Sequence, residues 1–274
     1  MDQIARTYMN GQQETKTTRQ QVNELMAAGN YADAAVLLQE VSQSVPRNAE
    51  VRYLLGCCLG RLGQWAEAIN ALQKGIEMQP DISNFHYALG KAQLALKQYG
   101  PAAGSFRRTL ELDNTLTRVH LDLANTAFIL QDNNQSREHY EQALQLKHDL
   151  AAAYYGLGCI EQETGFSDRA IEYLEQALVH KPESIDSLCM LGTVLMNQAQ
   201  IEQSAACFEK ALQIDPDSVQ AAAGMASIHE YRGEAEKAIV LVDSATRRNE
   251  LNPALGIAFA RICRHTGRCE EAVD

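Results

Sequence analysis

Histidine and acidic side chains are the residues of this sequence that could bind a metal ion or act as general acid and base. His86 and His120 are 34 residues apart and, as neighbouring imidazoles, could bind a metal ion, but no third ligand at a suitable spacing accompanies them. Glu161 and Glu163 could act as general acid and base, but on adjoining turns of an exposed helix we expect them to be solvating charges. The sequence also lacks a glycine-rich phosphate loop, an HExxH motif and a nucleophile elbow. We therefore expect no catalytic residue, no metal, no cofactor and no enzymatic activity in this chain.

The cysteines indicate a reducing compartment rather than a disulfide or zinc framework. The sequence has seven, an odd number; Cys57 and Cys58 are adjacent, and no CxxC motif occurs. Such thiols are typical of small buried side chains in an intracellular protein. Residues 1–14 form a polar arm without the apolar run of a secretory signal, and no stretch approaches the roughly 18 apolar residues of a membrane span. We expect a soluble, cytoplasmic protein.

The elements that must position these side chains follow from a period of 34 residues. Self-similarity at a fixed period predicts a repeat architecture. Because stacked repeats expose a long surface and rarely enclose a pocket, the pattern favours binding over catalysis. The small residues that recur at this period, with no insertion or deletion, are Ala34, Ala68, Ala102, Ser136, Ala170, Ser204, Ala238 and Ala272.

Each repeat is predicted to form two helices joined by a turn. In the repeat at 49–82, Leu55 and Leu59 share one helical face, Gly63 supplies the turn, and Pro80 ends the repeat. Small side chains are expected where two helices cross, since a larger one would push the backbones apart. The predicted division is a polar arm at 1–14 and an array at 15–274, with repeats at 15–48, 49–82, 83–116, 117–150, 151–184, 185–218 and 219–252 and a partial eighth at 253–274.

The recurring positions resemble the tetratricopeptide repeat over about residues 15–274. Positions are counted from the first residue of each repeat, so that Ala49 is position 1 of the repeat at 49–82. That family's pattern has leucine at position 7, a small residue at 8, alanine at 20 and proline at 32, as in Leu55, Gly56, Ala68 and Pro80. The resemblance implies an all-α fold, an α-solenoid of stacked antiparallel helix pairs that coils into a right-handed superhelix. It also implies a concave groove lined by the first helix of each pair.

The first and the fourth repeats show departures from the pattern. The first has Gln21 and Val22 at positions 7 and 8, so its first helix is degenerate and is interpreted as an N-terminal cap. The fourth has Gln131 and His148 where glycine and proline are usual, which predicts a longer or looser turn.

The groove-facing positions of the first helices carry the candidate binding residues. Tyrosine recurs at position 5, where a flat apolar ring with a hydroxyl suits peptide contact; the alternative is that these rings pack between adjacent first helices. No repeat pairs lysine at 5 with asparagine at 9, and position 6 carries no asparagine ladder, so neither a chaperone-tail clamp nor the recognition mode of large O-GlcNAc transferases is expected. The candidate peptide-binding or partner-binding residues are Tyr53, Tyr87, Lys91, Arg118, Asn125, Tyr155 and Thr193.

The charge of the chain bears on its partners. Residues 1–137 carry 13 basic and 13 acidic side chains, whereas residues 138–274 carry 11 and 22, so the second half holds the whole net charge of -11. This argues against nucleic acid or an anionic membrane as a partner.

Three functions are consistent with this sequence. The first hypothesis is a scaffold that binds a peptide or a partner helix in the groove. The alternative is the substrate-recognition arm of a longer bacterial glycosyltransferase or sulfotransferase whose catalytic domain lies beyond residue 274. A third is end-to-end self-association through the unfinished last repeat, which carries the apolar residues Ile257, Phe259 and Ile262.

Overall fold

The structure is a computed structural model that describes residues 19–248, with side chains described as far as residue 242. Within this range it is a succession of α-helices joined by short turns, without a β-strand, so the predicted all-α repeat fold is confirmed. The polar arm at 1–14 and the partial eighth repeat with Ile257, Phe259 and Ile262 lie outside the described residues.

The helices alternate between two sets. Helix α1 is described over 19–27. The first-position helices that follow are α3 (Ala49–Arg61), α5 (Ser83–Ala95), α7 (Thr117–Ile129), α9 (Ala151–Glu163), α11 (Ile185–Asn197) and α13 (Val219–Tyr231). The second-position helices are α2 (Tyr31–Ser44), α4 (Trp65–Met78), α6 (Tyr99–Leu112), α8 (Asn133–Leu146), α10 (Ser167–His180), α12 (Ile201–Ile214) and α14 (Ala235–Arg248). From α4 onwards, every helix begins 34 residues after the previous helix of the same set.

The chain divides into two compact units, residues 1–142 and residues 143–274, with the division inside α8. In the first unit, α3 packs against α2 and α4, α5 packs against α4 and α6, and α6 packs against α7. In the second unit the same order links α9 through α14, and α11 also contacts α9 and α13. Each helix therefore packs mainly on its neighbours in sequence, as expected of a repeat array.

Small residues allow close helix crossings. A Cβ added to Gly56 would lie 2.6 Å from Leu72 Cγ, and one added to Gly224 would lie 2.3 Å from Phe208 Cε1. At the recurring small position, Ala68, Ala102, Ala170 and Ala238 are completely buried, since only a methyl group or smaller fits between the helices.

Serine replaces alanine at this position twice, and each hydroxyl has a buried acceptor. The Ser136 hydroxyl donates to the carbonyl of Ala124 at 2.9 Å, and the Ser204 hydroxyl donates to the carbonyl of Gly192 at 2.6 Å. The residue that accepts is 12 positions earlier in both cases. These bonds offset the cost of burying a polar group, so serine serves in place of alanine.

One turn position in each repeat within residues 19–248 has a left-handed backbone. Glycine fits this conformation without steric cost, but three repeats hold it with other residues. The positive φ angles belong to Gly29, Gly63, Lys97, Gln131, Gly165, Ala199 and Gly233. The turn at Gln131 joins α7 to α8 through residues 130–132, the same length as residues 62–64 around Gly63, so the expectation of a longer turn is wrong.

The degenerate first repeat still contributes to the core. Val22 on α1 is 1% exposed and packs in a cluster with Leu38 on α2 and Leu55 on α3, whereas Gln21 beside it is exposed.

Candidate functional site

In the first unit, α5 and α7 are joined by a polar cluster. The Tyr87 hydroxyl donates to Asp122 Oδ2 at 2.9 Å, and Lys91 Nζ lies 3.3 Å from Asp122 Oδ1. Tyr87 and Lys91 are one helical turn apart on α5, so both face the same side of α7. We call the side of α3, α5 and α7 that carries this cluster the first-helix surface.

Asp122 is the centre of this cluster. Its side chain is only 15% exposed, whereas that of Lys91 is 41% exposed. Burial raises the pKa of Tyr87 to about 12, with the negative charge of Asp122 as the next cause, while Arg118 acts in the opposite direction. The phenol therefore stays protonated and is held as a hydrogen-bond donor to the carboxylate throughout the physiological pH range.

Tyr53 occupies the same register position on α3 but has different partners. Its ring centroid lies 5.0 Å from that of Phe85 on α5, in a tilted arrangement. Its hydroxyl is hydrogen-bonded to Cys57, and burial, followed by Cys57, raises the pKa of Tyr53 to about 12. The ring is thus fixed between two neighbouring first-position helices.

The other two candidates of the first unit are exposed. Arg118 lies near the start of α7 and interacts with Tyr87. Asn125 lies two turns further along α7, and its Oδ1 accepts a hydrogen bond from the Tyr140 hydroxyl of α8. Both side chains remain accessible to solvent.

Tyr155 and Thr193 belong to the second unit and are described there by themselves. Tyr155 on α9 is half-buried and hydrogen-bonded to Cys159, which repeats the relation of Tyr53 to Cys57. Thr193 on α11 is exposed, and its hydroxyl donates to the carbonyl of Cys189 at 2.8 Å. The structure therefore groups five of the seven candidates in the first unit and two in the second.

The rings of Tyr53 and Tyr87 both contact an aromatic ring on a neighbouring helix, but only the partner of Tyr53 lies on a first-position helix, since Phe106 belongs to α6. The Tyr53 ring is tilted against that of Phe85, and the Tyr87 ring centroid lies 6.0 Å from that of Phe106 while the Tyr87 hydroxyl donates to Asp122. Both remain half-buried rather than buried, so each ring keeps an exposed part.

Sequence reasoning missed Asp122 as a site residue. Tyr87 and Asp122 are 35 residues apart, which is one repeat plus one position, and Lys91 is 31 residues from Asp122. A search for opposite charges and hydrogen-bonding pairs near one period, rather than at the period itself, would have found this cluster.

The comparisons with known proteins agree with this architecture. Two family models, both described as tetratricopeptide repeat, match residues 25–94 and residues 117–149, 151–178 and 185–218, which is more than half of the chain. The chain belongs to the tetratricopeptide repeat family. This fold supports a role as a protein-interaction scaffold. No curated protein matches the sequence.

Several solved tetratricopeptide-like structures share the fold. A tetratricopeptide repeat protein from Parabacteroides merdae is 13% identical, with a TM-score of 0.73, over 91% of this chain and 99% of that one. PilF of Pseudomonas aeruginosa is 14% identical, with a TM-score of 0.67, over 79% of this chain and 97% of that one. YrrB, described as a TPR protein with an unusual peptide-binding site, is 16% identical, with a TM-score of 0.57, over 67% and 95%. At such identities the likeness shows the fold alone.

The two histidines considered for a metal site have separate partners in the tetratricopeptide array. His86 Nε2 lies 2.7 Å from the carbonyl of Pro80. His120 Nε2 lies 3.3 Å from the carbonyl of Asn114, and its Nδ1 lies 3.2 Å from Nδ1 of His139. Among residues 19–242, no group of three or more histidine, cysteine or acidic side chains could hold a metal ion.

Glu161 is not the solvating charge that the sequence suggested. Its side chain is completely buried near the end of α9, and its Oε1 lies 3.0 Å from Arg169 Nη2 on α10. Arg169 also lies over the ring of Phe166, 5.9 Å from the centroid. The turn between α9 and α10 folds this arginine back over the carboxylate, which a reading of α9 alone could not reveal. Glu163 is exposed, as expected.

The cysteines of the described part of the chain are free thiols. Cys58 and Cys189 are buried, and burial raises the pKa of each to about 11. Thiols with such pKa values are almost entirely protonated near neutral pH, so they are poor nucleophiles.

Two further surface properties concern partners. None of the described helices is both long and apolar enough to cross a bilayer. In the second unit, a cavity of about 610 Å³ lies at the turns before α11 and α13, where Ser184 and Ser218 are found, and it contains neither Tyr155 nor Thr193.

Proposed function

We propose that the chain is an interaction module that binds an extended peptide or a partner helix on the first-helix surface. The binding residues of this surface are Tyr53, Tyr87, Lys91, Arg118 and Asn125. In the second unit, Tyr155 on α9 and Thr193 on α11 are proposed as separate contact points for a partner. The observation that carries the proposal is the cluster in which Tyr87 and Lys91 both bind Asp122, with Arg118 exposed beside it.

The arrangement suits binding because it is already ordered. The Tyr53 and Tyr87 rings pack against Phe85 and Phe106, so their conformations are already restricted in the free protein. A partner that contacts their exposed parts therefore loses little binding free energy to the side-chain entropy of these rings. Asp122 holds Lys91 in place, and Lys91 still has 41% of its side chain exposed for a second hydrogen bond.

The partner's chemistry follows from these groups. Tyrosine rings offer apolar area for aliphatic or aromatic side chains, while Lys91, Arg118 and Asn125 offer hydrogen bonds to backbone carbonyls or acidic groups. The description of YrrB as peptide-binding supports such a role in a protein of the same fold.

The test begins with peptides selected from a random display library against the full chain. Their affinities are then measured for the chain itself, for Arg118→Glu and for the control Arg107→Glu, which reverses an exposed charge on α6 instead of α7. Arg118→Glu is expected to weaken binding at least about fivefold, as charge reversal at the edge of an interface does. Arg107→Glu is expected to leave affinity within about twofold.

Equal losses in both variants would mean that binding follows the overall charge and not this surface. Circular dichroism of each variant, unchanged from the parent, establishes that the helices are intact.

A further inference from the structure

A second candidate site lies in the first unit, between the second-position helices α2 and α4. It is a cavity of about 250 Å³ whose floor is formed by Leu55 and Leu59 of α3 and Ala71 of α4, all of them buried. Arg52 of α3 and Lys74 of α4 also line it. None of the seven candidate binding residues takes part, so it is distinct from the first-helix surface.

Arg52 is the unusual member of this cavity. Its Nε is buried and has no hydrogen-bond partner. Among the described residues no ion pair involves its guanidinium, although Glu67 lines the same cavity. A buried N–H donor left without an acceptor loses its hydration and gains nothing in return, so it is destabilising unless something else accepts the bond.

In the next three repeats the side chain at the same register position contacts a partner. His86 contacts the carbonyl of Pro80, and His120 contacts the carbonyl of Asn114. Tyr154 stacks on His180, with ring centroids 5.4 Å apart. The unpartnered donor is therefore a property of Arg52 and its surroundings rather than of the repeat.

The charges of the cavity select the kind of group that fits. Arg52 and Lys74 supply two positive charges against the single negative charge of Glu67, and Asn70 adds an amide. A guanidinium presents its N–H groups as a planar fork that matches the two oxygens of a carboxylate. The surplus of one positive charge matches a singly charged carboxylate better than a phosphate dianion.

We propose that this cavity binds a carboxylate group, which pairs with the guanidinium of Arg52 and with Lys74 at the edge of the cavity. The carboxylate belongs either to a small organic acid or to a peptide, through an acidic side chain or a C-terminus. The apolar floor of Leu55 and Leu59 receives the carbon chain that bears it.

The experiment follows the Nε–Hε resonance of Arg52 in the isotope-labelled full chain, assigned by its loss in Arg52→Lys. Acetate, inorganic phosphate, and a short peptide with either a free or an amidated C-terminus are titrated at constant ionic strength, with chloride alone as the reference. Acetate is expected to shift the Arg52 resonance saturably. A larger effect of the free-acid peptide at lower concentration assigns the carboxylate to a peptide, and equal or weaker binding assigns it to a small acid.

Variants separate this site from general charge effects. Arg52→Lys is expected to weaken acetate binding, followed through backbone amides of α3, by at least about tenfold, because lysine cannot reproduce the fork. Lys74→Met is expected to weaken it about two- to threefold, as for an exposed charge. Arg47→Lys, an exposed arginine in the turn before α3, is expected to change nothing.

Three results would overturn the proposal. One is an Arg52 resonance that does not move at the highest acetate concentration that leaves the circular dichroism unchanged. A second is tighter binding of phosphate than of acetate. The third is an equal loss of binding in Arg47→Lys and Arg52→Lys.

Discussion

At the scale of single residues, Asp122 decides how the first-helix surface is organised. It is largely buried, yet its charge is compensated by Lys91 and by the Tyr87 hydroxyl. A buried carboxylate needs such partners, since burial without them would favour its neutral form. Asp122 therefore fixes the orientation of two side chains that we assign to partner binding.

The pair formed by His120 and His139 predicts a pH dependence of stability. Their Nδ1 atoms lie 3.2 Å apart, and burial, followed by the charge of His120, lowers the pKa of His139. Arg107 acts in the same direction and Glu138 in the opposite one. Because its pKa is lower in the folded than in the unfolded chain, the folded state binds fewer protons. The contribution of neutral His139 to the free energy of unfolding is therefore fully present above its unfolded pKa, near 6.5. It is lost as the pH falls through the pKa of His139 in the folded state.

The measurement is the urea midpoint of the full chain between pH 7.5 and pH 5.5. The midpoint is expected to fall on acidification, and His139→Gln is expected to reduce that fall. The control is His148→Gln, because His148 is an exposed histidine in the second unit. A slope that His139→Gln leaves unchanged, or that His148→Gln reduces equally, would contradict this assignment.

At the scale of elements, alanine-to-glycine substitutions at the left-handed turn position and inside a helix are expected to change stability in opposite directions. Ala199 has a φ of 57°, where a Cβ is strained, so Ala199→Gly is expected to stabilise the chain by about 0.5–1 kcal/mol. Ala206 is exposed within α12, so Ala206→Gly is expected to destabilise it by about 0.5–1 kcal/mol. Urea denaturation of both variants measures the difference. Destabilisation by Ala199→Gly equal to that by Ala206→Gly would mean that the turn is not strained.

The helices could be predicted from the sequence because their positions are set locally. Gly63 marks the turn after α3, and the small residue Ala68 marks where α4 crosses α3. Because the same positions recur every 34 residues, the remaining helices follow from this repeat. The left-handed turns at Lys97, Gln131 and Ala199 could not be predicted from residue type. At those positions the packing of the flanking helices imposes the backbone against the preference of the residue.

The candidate site was predictable only in part. The register placed Tyr53 and Tyr87 correctly on the first-position helices, but their partners depend on how neighbouring helices lie against each other. The Tyr87–Asp122 bond crosses between α5 and α7, and the Glu161–Arg169 pair crosses between α9 and α10. The state of Arg52 could not be predicted from the sequence, because whether an arginine N–H has an acceptor depends on the surrounding helices and not on residue type.

At the scale of the whole chain, the two halves differ in charge. The net charge of -11 lies in residues 138–274, whereas the first-helix surface of the first unit combines Lys91 and Arg118 with Asp122. An acidic partner segment would therefore be repelled less by the first unit than by the second. End-to-end association through the last repeat and a role as the arm of a longer enzyme stay predictions.

The central claim is that a partner binds on the first-helix surface, and site-specific photo-cross-linking tests it most directly. A photoreactive amino acid is placed at position 118 on α7 in one sample and at position 104 on α6 in a control, where Gly104 is exposed and has open space around it. Each protein is irradiated with a selected peptide, and the covalent product is quantified. We predict a strong product at position 118 and little at position 104. Equal products at the two positions, or a stronger one at position 104, would contradict the claim.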